Sequence, residues 1–170
     1  TNIQNSFFHP LESGRKNHVV VIEAVNHLVQ NYPQLKYFIC GQGEKKQELQ
    51  QLIRDYHLEN HVKLLGFRTD VAELCQAADV FVFPSKQEGL PVALMEAMAC
   101  GVPVVCSRIR GNTDLVEDEK CLFMPDKAEQ LERCIELKLK RKEKKNVYCK
   151  LGEYDLTNVL KKYGEIYAEK

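Results

Sequence analysis

The sequence contains no apolar run approaching the roughly 20 residues that a membrane-spanning helix needs, which argues against a helical membrane protein. Neither sign of charge is in excess, with 24 basic and 24 acidic residues, so nothing general points to nucleic acid as a partner. Thr1 to His9 lacks a basic stretch followed by an apolar one, so it does not read as a signal peptide. Internal repeats and low-complexity segments are missing too. None of the seven cysteines stands at the C-x-x-C spacing of a metal-ligand pair, and their number is odd.

What is present is a chain of 170 residues with 44% hydrophobic content, enough for one soluble domain spanning 1–170 with a core of its own. Several cysteines lie inside apolar runs, as in Phe38-Ile39-Cys40 and Val104-Val105-Cys106, where cysteine behaves as a small hydrophobe. Such usage fits a reducing compartment, and a cytoplasmic location is expected.

Short apolar runs alternate with helical periodicities, the pattern of a parallel sheet covered by helices. Val19 to Tyr32 is ambiguous. Its β-branched run resembles a strand, yet Ile22, Val25, Leu28, Val29 and Tyr32 share one helical face and Pro33 supplies a stop, so a helix is expected. Strands are expected at Tyr37–Cys40, Val62–Leu65, Val80–Phe83, Val102–Cys106 and Cys121–Met124. Helices are expected at Glu44–His57, Val71–Ala77, Leu90–Ala99, Ala128 to about Lys144, and Asp155–Ala168. The segment before Lys16 reads as a loop. The basic run from Lys138 to Lys142 reads as a solvated helix face, with peripheral contact to anionic lipid at the inner membrane face as the alternative.

The chemistry concentrates between Ser85 and Gly101. A buried strand, Val80–Phe83, enters a turn at Pro84 to Gly89 and then a helix with Pro91 in its first turn. In a doubly wound sheet this places a helix amino terminus at the carboxyl edge of the strands, where free amides and the helix dipole favour a phosphate. Gly89 lets backbone approach a ligand, and Leu90 and Val92 can offer amides, whereas Pro91 cannot. Carboxylates beside a phosphate site need another purpose. Glu88 and Glu96 can each accept hydrogen bonds from vicinal hydroxyls, one at each end of a nucleotide sugar. A strand, a Gly-Pro turn and a helix with two exposed glutamates also occur in many unrelated α/β proteins.

The stretch Pro84-Ser85-x-x-Glu88-Gly89-x-Pro91, followed by Glu96-Ala97-Met98-Ala99-Cys100-Gly101-Val102-Pro103-Val104-Val105, resembles glycosyltransferase family four. The two glutamates with seven residues between them are that family's signature. Gly41-Gln42-Gly43-Glu44, Gly66-Phe67-Arg68 and Gly111 with Asp114 extend the likeness from about Lys16-Asn17-His18 across nearly the whole chain. The resemblance implies a Rossmann-like, doubly wound α/β domain, the carboxyl-terminal half of a GT-B fold. It implies retaining transfer of a sugar from a nucleotide donor, such as a UDP- or GDP-sugar, to a hydroxyl acceptor in polysaccharide or glycolipid synthesis.

Residue by residue, the resemblance makes Glu88 and Lys16 catalytic: Glu88 on the sugar hydroxyls, Lys16 on the departing diphosphate. Glu96 would hold the ribose, the backbone from Gly89 through Leu90, Pro91 and Val92 would meet the distal phosphate or sugar, and Phe67 and Arg68 would border the base. No metal or cofactor is implied, and no general base stands out; His9 is the nearest candidate by sequence and reads as a loop residue. Family members carry Gly-Arg before the lysine, and the best linear match puts Ser6-Phe7 there, with Arg15 as a substitute charge. The amino-terminal domain that carries the saccharide or lipid-linked acceptor has no room in this chain, which reads as part of a longer enzyme. A non-catalytic module that binds a nucleotide sugar or docks a partner is the alternative.

Overall fold

A computed structural model describes residues 16–141 and the backbone of 6–11. The expected helix at 155–168, together with Arg15 and Cys149, lies outside the described residues. The element order is β1 (Ser6–Leu11), α1 (His18–Leu28), β2 (Lys36–Gly41), α2 (Lys46–Asp55), β3 (Val62–Gly66), α3 (Val71–Ala77), β4 (Val80–Phe83), α4 (Val92–Ala99), β5 (Val104–Ser107), α5 (Asn112–Leu115), β6 (Leu122–Phe123) and α6 (Ala128–Arg141). The strands form one six-stranded sheet in the order β3-β2-β1-β4-β5-β6, and every pairing is parallel. This is the doubly wound α/β architecture that the alternating pattern predicts.

Side chains of a strand alternate between faces, and the two cores follow that period. Tyr37, Ile39, Val80, Val82, Val105 and Phe123 pack on one face against Val21, Ile22 and Val25 of α1, Leu49 and Ile53 of α2, and Leu131 and Ile135 of α6. Cys40, Phe81, Phe83, Val104, Cys106 and Leu122 pack on the other against Cys75 of α3, Leu94, Ala97 and Met98 of α4, and Leu115 of α5. Helix α1 explains the ambiguous valine run. It shares its core with α2, α6 and the sheet, so Val20, Val21 and Ile22 are all buried, and β-branched residues are favoured by burial rather than by strand formation.

Three expectations change. The loop before Lys16 contains a strand, β1, which is the centre of the sheet; His9 therefore belongs to a strand, opposite Ile39, and not to a loop. Helix α4 begins at Val92 instead of Leu90, because Pro91 has a non-helical ψ of 68°. Strand β5 begins at Val104, after Pro103, which cannot donate to a ladder.

The register of β1 also moves the site. Phe7 pairs with Tyr37 and Val80, near the amino ends of β2 and β4, whereas Leu11 pairs with Gly41 at the carboxyl end of β2. At about 3.3 Å per residue, Phe7 is some 13 Å from the edge where ligands bind. Ser6-Phe7 therefore does not occupy the place of an arginine that meets a diphosphate. The linear match failed because it ignored the length of a strand it did not recognise.

Candidate functional site

Strand β1 continues through α1 to β2 on one side of the sheet, while β4 lies on its other side. The strand order reverses between β1 and β4, and the crevice at their carboxyl ends is where a doubly wound sheet binds ligands. Lys16 follows β1 and Glu88 follows β4. Lys16 Nζ donates to Glu88 Oε1 at 2.9 Å across this crevice, with side chains only 11% and 15% exposed. The ammonium also lies 5.2 Å from the centroid of Phe83, the last residue of β4.

Neighbouring bonds hold Lys16 in place. Asn17 adopts the left-handed conformation at φ 52°, which asparagine tolerates better than most residues, and its Nδ2 donates to Pro125 O at 2.7 Å. His18, the first residue of α1, is buried with its Nδ1 2.8 Å from the Tyr37 hydroxyl on β2. A second tie, Lys86 Nζ to Asp126 Oδ1 at 2.7 Å, links the loops after β4 and β6. The amino terminus of α1 opens beside Lys16, and that of α4 lies just beyond Glu88. Two helix dipoles and a nearly buried ammonium thus favour negative charge at one edge.

Gly89 is exposed, and a β-carbon added there would meet nothing within 4 Å. The fold leaves that space open, so a glycine serves approach from outside rather than internal packing. Below it, Gly111 adopts a φ of +90° that favours glycine, and a β-carbon there would be in ordinary contact with Gly89 O at 3.4 Å and Glu88 O at 3.5 Å. Leu90 and Val92 are 59% and 51% exposed, Pro91 is buried, and Glu96 is exposed on α4. The Val92 amide donates to Leu90 O at 2.9 Å. Val92 therefore does not offer a free amide to a ligand, contrary to the sequence expectation; its contribution at this edge is an exposed apolar side chain.

Phe67 is 72% exposed in the loop after β3. Arg68 Nε donates to Asp70 Oδ1 at 2.7 Å, and its Nη2 to Oδ2, so the guanidinium fork braces its own loop. That bond, helped less by a backbone hydrogen bond and the Arg68 charge, holds the Asp70 carboxyl below the usual carboxylate range. Phe67, Leu90, Val92 and Met124 are four of the five large exposed apolar side chains among the described residues, and all follow strands on the carboxyl edge. Met124, Asn17, Ser107 and Asn112 were not singled out by sequence reasoning. For Asn17 a signal existed, since asparagine before a helix is a common left-handed residue.

The cysteines belong to the cores. Those described are free; Cys100 is half-buried and the others are buried. Burial pushes the Cys40 and Cys134 thiols up to about 11 and Cys75 to about 12, so these three are not thiolate nucleophiles at neutral pH. On α6, Lys138 has a side chain only 9% exposed and turns toward Asp118, while Lys140 pairs with Glu136. The basic run is therefore not a continuous solvated face. No helix among the described residues is long and apolar enough to cross a membrane.

Residues 12–154 match the family model described as glycosyl transferases group 1. The chain is 37% identical over 108 residues to the UDP-Gal:alpha-D-GlcNAc-diphosphoundecaprenol alpha-1,3-galactosyltransferase of Escherichia coli, covering 62% of this chain and 28% of that protein. It is 42% identical over 106 residues to an amylovoran biosynthesis glycosyltransferase of Erwinia amylovora, covering 58% of this chain and 26% of the relative. Among solved structures, Anabaena HepE in complex with UDP and glucose superposes with a TM-score of 0.83 at 27% identity, over 99% of this chain and 49% of HepE. The chain thus spans less than a third of the length of these curated relatives and about half of HepE.

Proposed function

The chain belongs to the group 1 glycosyl transferases, and from that premise we propose that its carboxyl-edge crevice binds a UDP-sugar for retaining transfer to a hydroxyl acceptor. The observation that carries this reading is the Lys16–Glu88 pair, a cation and a carboxylate held together at the switch point of the sheet. A diphosphate needs the first and sugar hydroxyls need the second. The names of the relatives support the choice of donor, since one is a galactosyltransferase using UDP-Gal and HepE holds UDP and glucose.

In the bound state Lys16 and the amides around Gly89 and Leu90 face the diphosphate, Glu88 accepts from sugar hydroxyls, and Glu96 accepts from the ribose. Phe67, exposed beside the β3 loop, borders the base. In transfer, the bond between the anomeric carbon and the distal phosphate oxygen breaks, and a bond to the acceptor oxygen forms on the same face. The nucleoside diphosphate leaves with the electron pair, and the acceptor proton is released. Lys16 stabilises the charge that grows on the leaving oxygen, so its effect is larger in the transition state than in the bound donor.

Acceptor recognition and transfer are assigned to a longer protein of which this chain forms the donor-binding part, acting at the cytoplasmic side on a saccharide or lipid-linked acceptor of polysaccharide or glycolipid synthesis. The non-catalytic alternative rested on Phe7 in place of a diphosphate-binding arginine and on the absent acceptor half; the sheet register sets Phe7 away from the carboxyl edge, which weakens the first ground and leaves the second.

Calorimetric titration with UDP, UDP-glucose and GDP-mannose tests the proposal. Uridine ligands should bind, and Lys16→Ala should weaken both UDP and UDP-glucose at least tenfold. Silence with every ligand would overturn the reading.

A further inference from the structure

Beneath the Glu88 loop, three fully buried polar side chains join the ends of β4 and β5: Ser85, Ser107 and Asn112. Asn112 Nδ2 donates to Ser107 O at 3.0 Å and to Ser107 Oγ at 3.1 Å. The Ser107 hydroxyl passes its own hydrogen to Ser85 O. An amide, a hydroxyl and a carbonyl thus form one directed chain from α5 to the segment that leads into Glu88. Because Ser107 O can only accept, it also settles which way the Asn112 amide faces.

A second route runs through the backbone. Gly111, the residue before Asn112, lies beneath the same loop, where an added β-carbon would come into contact with Glu88 O and Gly89 O. The bond from Asn112 Nδ2 to Ser107 O closes the turn that contains Gly111, so it sets how far that turn reaches beneath Glu88 and Gly89. Asn112 is therefore linked to the Glu88 loop by two routes, one through Ser107 to Ser85 and one through the turn at Gly111.

The cluster is a poor device for stability alone. Asn112 Oδ1 and Ser85 Oγ are buried without a hydrogen-bond partner among the described residues, and an unpaired buried polar atom costs free energy that an apolar residue would not. What polar residues provide here, and apolar ones cannot, is direction.

We infer that Asn112 is a positioning residue: acting through Ser107 and Gly111, it holds Ser85 to Gly89 in the conformation that aims the Glu88 carboxylate into the crevice. This rests on the donor-binding reading above for its functional consequence, but its structural content stands independently. Asn112 itself is buried and touches no ligand.

The experiment has two arms. The first is amide hydrogen exchange on the chain without ligand. In Asn112→Ala, the peptides covering Ser85 to Leu90 should exchange at least tenfold faster, while those of α1 and α2 change less than twofold. Ser107→Ala, which removes only the side-chain relay and leaves the Ser107 carbonyl, should show a smaller rise at the same peptides. It serves as the test if Asn112→Ala does not fold. Unchanged exchange at Ser85 to Leu90 in a folded variant would overturn the inference.

The second arm is a double-mutant cycle on UDP-glucose affinity. Asn112→Ala should weaken binding about tenfold in the unaltered chain and less than twofold in a Glu88→Gln background, since a residue acting through Glu88 has nothing left to position. Equal losses in both backgrounds would mean a general structural role and sink the assignment. If the unaltered chain binds no donor, the proposed function fails, and the exchange arm still decides whether Asn112 holds the loop.

Discussion

Lys16 and Glu88 are 72 residues apart in the chain, and their side chains meet at 2.9 Å. They form an ion pair at a site that also has to receive a diphosphate and a sugar. The carboxylate therefore competes with phosphate for the ammonium and repels a bare nucleotide. Glu88→Gln should bind UDP more tightly, by about 3- to 10-fold, because a half-screened charge contact is worth about 1 kcal/mol. The same variant should lose affinity for UDP-glucose relative to UDP. Titrating both ligands against both proteins measures the crossover; parallel changes would show that Glu88 does not distinguish them.

Gly89→Ala separates ligand approach from folding. A methyl group there meets nothing within 4 Å, and Gly89 is exposed, so the melting temperature should move by no more than about 2 °C, the shift expected from less than ~0.5 kcal/mol. Donor affinity should nevertheless fall, by tenfold or more. Calorimetry and a thermal melt on one preparation check both halves.

Asn17 combines a left-handed backbone with a side-chain bond to Pro125 O. Asn17→Gly keeps the conformation and loses the bond, for a cost of about 1 kcal/mol. Asn17→Val loses the bond and must also force a β-branched residue to positive φ, for a further ~1–2 kcal/mol. Urea unfolding should therefore rank the wild type above Asn17→Gly, and Asn17→Gly above Asn17→Val.

The buried thiols predict a pH dependence of stability. Burial raises Cys40, Cys75 and Cys134 from the ordinary thiol value of 9.0 to about 11, about 12 and about 11, and it also raises Tyr37 above its ordinary 10.0. The folded state then binds protons more tightly than the unfolded state. Their contribution is fully present below pH 9 and is lost as pH rises through the raised values. Melting temperature should decline steadily between pH 9 and 11, and replacing Cys75 by alanine or valine should flatten part of that decline. Alkylation at pH 8 should leave Cys40, Cys75 and Cys106 unmodified until the chain unfolds.

Much of the sheet was legible because its strands are buried on both faces and read as apolar runs, as Val80–Phe83 does. Strand β1 was not. Ser6-Phe7-Phe8-His9-Pro10-Leu11 contains a histidine and a proline, and it has no β-branched residue, whereas β2, β4 and β5 each carry at least one. Its place in the sheet comes from its neighbours β2 and β4, whose ladders it completes. Missing it produced the one misplaced residue with consequences, Phe7. Val92 was misjudged for a related reason: whether an amide is free depends on the turn at Pro91, and periodicity says nothing about ψ.

The sequence by itself determined the architecture and the chemical inventory: alternating apolar strands and amphipathic helices, and a Glu88–Gly89–Glu96 segment at a strand-to-helix turn. Those are local properties, set by residue type and spacing. Only the tertiary structure decided that Lys16 belongs with Glu88, that Phe7 lies at the far end of the sheet, and that Asn112 underlies the loop between them. Each of these depends on the order and register in which strands pair, and hydrogen bonds between strands distant in sequence create that register.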